Sequence, residues 1–238
     1  MELPERDEYV ARWSALHGGY RPRKRSLAGG WLTLAYRVAR PCAAARASPD
    51  AVTVLGLVLA GAAVAPAAAG GWWLVLAAAL VGLAGLMDSV DGAVALLTER
   101  ATRWGYLLDS ATDRVADVLF VLTLWVASGG TSDGAPTSPA LRLTVAVLGG
   151  ALMFLHEYVR ARAIAAGMRD IGVVTVWERP TRVVVTAMFL VAGAIRSDRL
   201  WPTLGLLVWA GLGVLGLVQL VLVVRRRLRA LDDGTVPP

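Results

Sequence analysis

The sequence has almost no cysteine. Cys42 stands alone, so no intrachain disulfide can form and no metal site can be built on thiolates. Charge is scarce as well, at 18% of residues against 56% hydrophobic, with a mean hydropathy of +0.58. An ordinary soluble domain of this length carries more charge and alternates its apolar runs with polar faces. Here the charges are bunched between long apolar runs, which is the composition of a helical membrane protein. Lysine is reduced to Lys24, and every other basic residue is arginine. A cleavable leader is also missing from the pattern. The first apolar run long enough to span begins near Val52, behind a charged leader. The apolar core of a signal peptide lies much nearer the N-terminus, so the first helix is expected to be retained.

What is present is a series of six apolar runs: 50–69, 72–97, 105–128, 141–163, 181–197 and 201–224. A helix needs about 20 residues to cross ~30 Å of hydrocarbon, and the fifth run is short by that measure. The expected fold is all-α, a polytopic membrane protein. A basic leader (1–47) precedes a six-helix transmembrane domain (48–226) and a short tail (227–238). Ser48-Pro49-Asp50 makes a good helix start, with serine as N-cap and proline at the first helical position; Pro180 serves the fifth run in the same way. Gly129-Gly130 and the polar run to Pro139 predict a loop.

The basic residues decide orientation. Nine lie in the leader. Arg100, Arg103 and Arg114 follow the second run; Arg160, Arg162, Arg169, Arg179 and Arg182 follow the fourth; Arg225, Arg226, Arg227 and Arg229 end the chain. Only Arg142, Arg196 and Arg199 fall on the opposite side. The positive-inside rule therefore predicts an inner-membrane protein with both termini in the cytoplasm. The asymmetry also accounts for the net charge of +6 without nucleic acid. In the leader, Leu27, Trp31, Leu32, Leu34, Ala35 and Val38 alternate with Arg25, Arg37 and Arg40. That suits an amphipathic helix on the inner membrane surface, and equally an ordinary basic flank. Most tryptophans stand near run ends, as interfacial anchors do.

Ionisable groups inside spans are expensive and mark function. The second run ends with Asp88 and Asp91, three apart; the third begins with Asp109 and Asp113, four apart. Each pair shares a helix face, and the short connection makes the two helices antiparallel neighbours. Four carboxylates then converge at one level. At ~2.5–3.5 kcal/mol each on insertion scales, four would cost on the order of 10 kcal/mol at the bilayer centre. The apolar part of the second run, Trp72 to Met87, is ~24 Å long, which places the carboxylates near the inner interface instead. Clustered carboxylates call for a counter-charge, and all-oxygen ligands favour Mg²⁺ or Mn²⁺, two of which fit four carboxylates and a phosphoryl substrate. Gly92, Ala95 and Gly105 leave room for a flat group to approach the backbone, or serve simple helix packing.

These residues resemble the signature of the CDP-alcohol phosphotransferase family, D-x2-D-G-x2-A-R-x8-G-x3-D-x3-D. Asp88, Asp91, Gly92, Ala95, Gly105, Asp109 and Asp113 match with the spacing intact; Leu96 stands where the family has arginine. The resemblance implies that Asp88, Asp91, Asp109 and Asp113 hold two divalent metals that grip the pyrophosphate of a CDP-linked lipid. It implies that Asp113 is also the general base for the acceptor hydroxyl. Gly92, Ala95 and Gly105 would make room for the nucleotide, with Thr53 facing it, and CMP would leave. Arg100 and Arg103 are the candidates to replace the arginine missing at 96. The family likeness further implies a homodimer.

Tyr158–Arg162 and Glu178-Arg179-Pro180-Thr181-Arg182 resemble the acceptor region of actinobacterial phosphatidylinositol phosphate synthases. That likeness gives Arg160, Arg162 and Arg179 the role of holding an acceptor phosphate, for which the arginine fork is suited. The expected activity is transfer of a phosphatidyl group from CDP-diacylglycerol to a polyol phosphate such as inositol phosphate. Glycerol 3-phosphate is the alternative acceptor, and an impaired lipid-binding relative the alternative role. A cation-coupled transporter is a third reading, but it would place its charges near the midplane. Asp117 is read either as touching an acceptor hydroxyl or as a buried hydrogen-bonding group, and His156 and Glu157 as a pair satisfied within the bundle. Gly149, Gly150, Gly211, Gly213 and Gly216 are read as helix packing or a dimer seam.

Overall fold

The computed structural model describes residues 3–16, 19–133, 135–168 and 175–234. Among them the chain is all helix, with no strand. The helices are α1 (Arg6–Leu16), α2 (Leu27–Ala44), α3 (Pro49–Ala62), α4 (Val64–Ala69), α5 (Trp73–Thr98), α6 (Arg103–Ala127), α7 (Pro139–Ala165), α8 (Arg179–Arg196) and α9 (Leu200–Asp232). Arg169 lies outside the described residues.

Local chemistry sets most of the boundaries. The Ser26 side chain caps α2 by accepting from Gly29 N, Ser48 accepts from Ala51 N at 3.1 Å, and Ser138 caps α7 ahead of Pro139. Thr102 Oγ1 accepts from Gly105 N at 2.9 Å and starts α6. The first apolar run is two helical pieces rather than one. Pro66 lacks an N–H and its ring crowds the carbonyl four residues back, which breaks the helix between Ala62 and Val64. α9 overruns its apolar stretch and continues through Arg225–Arg229 to Asp232.

Four segments are long and apolar enough to cross a membrane: Pro49–Ala69, Trp73–Thr98, Pro139–Ala165 and Leu200–Asp232. The third and fifth expected spans are helical, as α6 and α8, but their charged residues keep them below that measure.

The chain forms two compact units, Met1–Gly61 with Gly82–Ala116, and Ala62–Val81 with Asp117–Pro238. The first is built on a core of Tyr9, Leu32, Tyr36, Ala39, Ala43, Val52, Leu86, Val90, Ala93, Val94 and Leu97. In the second, α9 packs against α7 and α8. Gly205 lets α9 approach Phe189 and Leu124, and Gly213 and Gly216 face Leu152 and Trp177. For these glycines close packing within the chain is the structural reason, whereas Gly150 and Gly211 face open space. Trp177 and Trp209 are fully buried and meet edge to face at 4.6 Å, so these two are core residues and not interfacial anchors. Arg142 is buried at 1% exposure. Its guanidinium donates to the carbonyls of Gly130, Ser132 and Thr137 and so pins the turn before α7.

Candidate metal centre

At ~100° per residue, the lower part of α5 has two opposite sides. Val90, Ala93, Val94 and Leu97 are 3% exposed or less and sink into the core against α1 and α2. Asp88, Asp91, Gly92 and Ala95 occupy the other side. The short turn at residues 99–102, with Glu99 at φ 55°, reverses the chain into α6. On α6, Asp109 and Asp113 are one turn apart and present their carboxyl groups together.

One carboxylate oxygen from each of Asp88, Asp109 and Asp113 lies within 4.8 Å of the others, and all three residues are half-buried. Three like charges this close repel strongly where water is partly excluded, and a cation among them removes that cost. The donor set is anionic oxygen throughout, which fits a hard divalent ion such as Mg²⁺ or Mn²⁺. Arg114 Nη2 stands 3.6 Å from Asp113 Oδ2 and supplies one fixed positive charge beside the cluster.

Asp91 sits apart from the three-oxygen cluster. It lies about 60° round the helix from Asp88, turned towards α3. It is 5% exposed, and its oxygens accept from Thr53 Oγ1 and Gly92 N, each at 2.6 Å. The structure therefore groups three of the four aspartates closely and holds the fourth beside them through Thr53. Thr53, expected against a nucleotide, spends its hydroxyl on Asp91.

The small residues differ from one another. A Cβ on Gly92 would meet nothing within 4 Å, so the surface beside Asp91 is open. Ala95 is half-buried on the same side. A Cβ on Gly105 would come within 3.3 Å of Asp50 Oδ1 and Thr102 Oγ1, so Gly105 is needed for the close approach of α3 and α6. Leu96 packs against the apolar core. Arg100 and Arg103 are exposed, with no side-chain partner among the described residues. Arg12 of α1 brings a guanidinium to position 96, donating to Leu96 O at 3.2 Å and to Glu99 at 2.9 Å.

The acceptor-phosphate candidates lie in the other unit. Arg160 Nη2 is held by Glu178 Oε1 at 2.6 Å, Arg162 is exposed, and Arg179 is half-buried at the start of α8. Glu178 also accepts from Thr175 N and Oγ1, and Thr175 Oγ1 meets His156 Nε2 at 3.1 Å. Arg182 is not among the site residues expected from the sequence. It is fully buried, donates to Asp117 Oδ2 at 2.7 Å and Glu157 Oε1 at 2.9 Å, and lies 5.7 Å from the Trp177 ring centre. Asp117 is thus a buried ion-pair partner. The signal was present in the sequence: carboxylates at 117 and 157 inside apolar helices require a cation, and Arg182 is four residues into a helix that can supply it.

The chain is similar to known proteins in sequence and in fold. Residues 46–225 match the family model described as CDP-alcohol phosphatidyltransferase, which leaves α1 and α2 outside the match. The chain is 31% identical over 183 residues to an archaetidylinositol phosphate synthase of Methanothermobacter thermautotrophicus, covering 76% of this chain and 84% of that protein. It is 34% identical over 185 residues to a phosphatidylinositol phosphate synthase of Mycobacteroides abscessus, covering 75% of each. The solved phosphatidylinositol phosphate synthase of Mycobacterium tuberculosis with CDP-DAG bound superposes with a TM-score of 0.65 at 26% identity, over 80% of this chain and 92% of that one.

Proposed function

The chain belongs to the CDP-alcohol phosphatidyltransferase family, and on that premise we propose that it moves a phosphatidyl group from CDP-diacylglycerol to the hydroxyl of inositol phosphate, releasing CMP. The observation that carries this reading is the cluster of Asp88, Asp109 and Asp113, with oxygens within 4.8 Å at matching signature positions. The acceptor follows the relatives, two of which are named for inositol phosphate products.

Asp88, Asp109 and Asp113, with Asp91 beside them, hold two divalent cations, Mg²⁺ or Mn²⁺. When bound, these ions neutralise the pyrophosphate and the charge that develops on it. The rest is positioning, which phosphoryl transfer chiefly needs. Thr53 fixes the Asp91 carboxylate. Gly92 leaves the surface open for the cytidine, with Ala95 and Gly105 bordering it and Arg100 and Arg103 near the phosphates. Asp113 takes the proton from the acceptor hydroxyl as its oxygen bonds to the β-phosphorus and the bond to the CMP oxygen breaks. A carboxylate in such surroundings is a weak base, so its placement contributes more than its basicity. Arg160, Arg162 and Arg179 bind the acceptor's phosphate. The proposed setting is the inner membrane, with six spans, both termini cytoplasmic, α2 lying along the inner surface, and a homodimer as the assembly.

The test is CMP release by purified protein in detergent with CDP-diacylglycerol and Mn²⁺ or Mg²⁺. Inositol phosphate, glycerol 3-phosphate, free inositol and serine are offered separately. Release with inositol phosphate alone, abolished by EDTA and reduced at least ~100-fold in Asp113→Asn, is expected. Release with glycerol 3-phosphate and not inositol phosphate would replace the acceptor. No metal-dependent release with any acceptor would refute the transferase reading.

A further inference from the structure

The side of α5 opposite the aspartates is covered by the two helices that lie outside the family match. Val90, Ala93, Val94 and Leu97 pack there against Tyr9 of α1 and Leu32, Tyr36, Ala39 and Ala43 of α2. α1 is itself secured to α2: Arg6 Nε donates to Thr33 Oγ1 at 2.9 Å, and Tyr36 OH to Pro4 O at 3.1 Å. The Tyr9 and Tyr36 rings lie 5.5 Å apart. Two polar links then join this pair of helices to the flank of α5. Trp31 Nε1 donates to Ser89 Oγ at 2.9 Å, and Ser89 is the residue between Asp88 and Val90. One guanidinium, that of Arg12, reaches Leu96 O at 3.2 Å, Glu99 at 2.9 Å and Glu8 at 2.8 Å.

Apolar packing against α1 and α2 already restrains the rotation of α5. Directional hydrogen bonds at two heights on the same flank restrain it further. Ser89 and Leu96 stand seven residues apart, nearly two helical turns, and on nearly the same bearing. A rotation of α5 that carried Asp88 away from Asp109 and Asp113 would break both links. Arg12 also supplies a donor to a carbonyl at the C-terminal end of α5, where carbonyls lack helical partners.

We infer that Trp31 and Arg12 are positioning residues for the metal centre: the leader helices brace α5 from behind, and these two links set the rotation that brings Asp88 to Asp109 and Asp113. The inference rests on the metal reading above. Arg12 does this from a separate helix, at the position where the family signature carries its own arginine and this chain has Leu96. It acts on the helix end, because its charge is matched by Glu8 and Glu99.

The test uses full-length protein and Mn²⁺ alone as the probe, followed by electron paramagnetic resonance, with the half-saturating Mn²⁺ for CMP release measured in parallel. Trp31→Phe keeps the ring and deletes the donor. Arg12→Ala deletes the second link, and Arg12→Lys keeps a cationic donor for Leu96 O and Glu99. Trp31→Phe and Arg12→Ala are each expected to bind Mn²⁺ about tenfold more weakly, the lower end of the loss seen when groups that orient metal ligands from behind are removed. With Mn²⁺ saturating, the KM for CDP-diacylglycerol should stay unchanged, and Arg12→Lys should lose less Mn²⁺ affinity than Arg12→Ala. A merely structural role would lower the melting temperature and leave Mn²⁺ affinity of the folded protein as it was. Unaltered Mn²⁺ affinity in both Trp31→Phe and Arg12→Ala overturns the inference alone. A wild-type chain without saturable Mn²⁺ binding overturns the metal reading and the inference with it.

Discussion

Arg182→Met is the substitution from which the structure predicts the largest loss of stability. The guanidinium is fully buried and sits between Asp117, also 0% exposed, and Glu157. Methionine is unbranched and long enough to occupy most of the space, so the cavity is small and the electrostatic loss dominates. Removing one partner of a buried ion pair leaves the other uncompensated, at about 3–5 kcal/mol. The guanidinium also lies 5.7 Å from the Trp177 ring centre, and losing that cation–π contact adds about 1 kcal/mol. For a chain of this size each kcal/mol lowers the melting temperature by ~2–4 °C, so a drop of roughly 8–24 °C is expected. The assay is thermal unfolding in detergent, followed by near-ultraviolet circular dichroism. The double variant Arg182→Met/Asp117→Leu removes the fully buried carboxylate and should regain part of the loss, since an apolar replacement of a buried pair is close to neutral, while Glu157 keeps Arg160 at 3.9 Å. A single variant that melts within ~2 °C of wild type, or a double variant no better than the single, would refute the reasoning.

Gly216→Ala should also destabilise strongly, because the added methyl would overlap Trp177 Cβ; overpacking of this kind costs about 1–3 kcal/mol. Gly211→Ala, with nothing within 4 Å of the added methyl, should instead gain up to ~1 kcal/mol of helix propensity, and equal behaviour of the two variants would count against the packing described. Burial pushes the Tyr9 hydroxyl up to about 12 from 10.0. Because its folded pKa is raised, the stability that Tyr9 contributes is complete below pH 10 and is lost as pH climbs from 10 towards 12, by up to ~2.7 kcal/mol. The difference in 295 nm absorbance between wild type and Tyr9→Phe should therefore show no tyrosinate at pH 10.5; a midpoint near 10 would mean that α1 does not bury Tyr9.

The sequence by itself determined the helical class, the membrane character and the acidic centre. Long apolar runs leave no other way to satisfy a backbone in lipid, and Asp88, Asp109 and Asp113 are brought together by i, i+4 spacing and a short turn, both readable in one dimension. Ser48, Ser138 and Gly129-Gly130 likewise acted as their local chemistry dictates. What only the tertiary structure decided is where long side chains end. Arg142, Arg182 and Arg160 look alike in a sequence, as basic residues flanking spans. In the fold one clamps three carbonyls, one is fully buried between two carboxylates, and one is held by Glu178. Asp91 leaves α5 about 60° round from Asp88, and only packing brings it Thr53, thirty-eight positions away in sequence, as a hydroxyl partner. Arg12 reaches Leu96 across eighty-four positions for the same kind of reason. Periodicity fixes which way a side chain leaves its own helix, but a hydrogen bond or ion pair depends on the partner helix that packing brings to it.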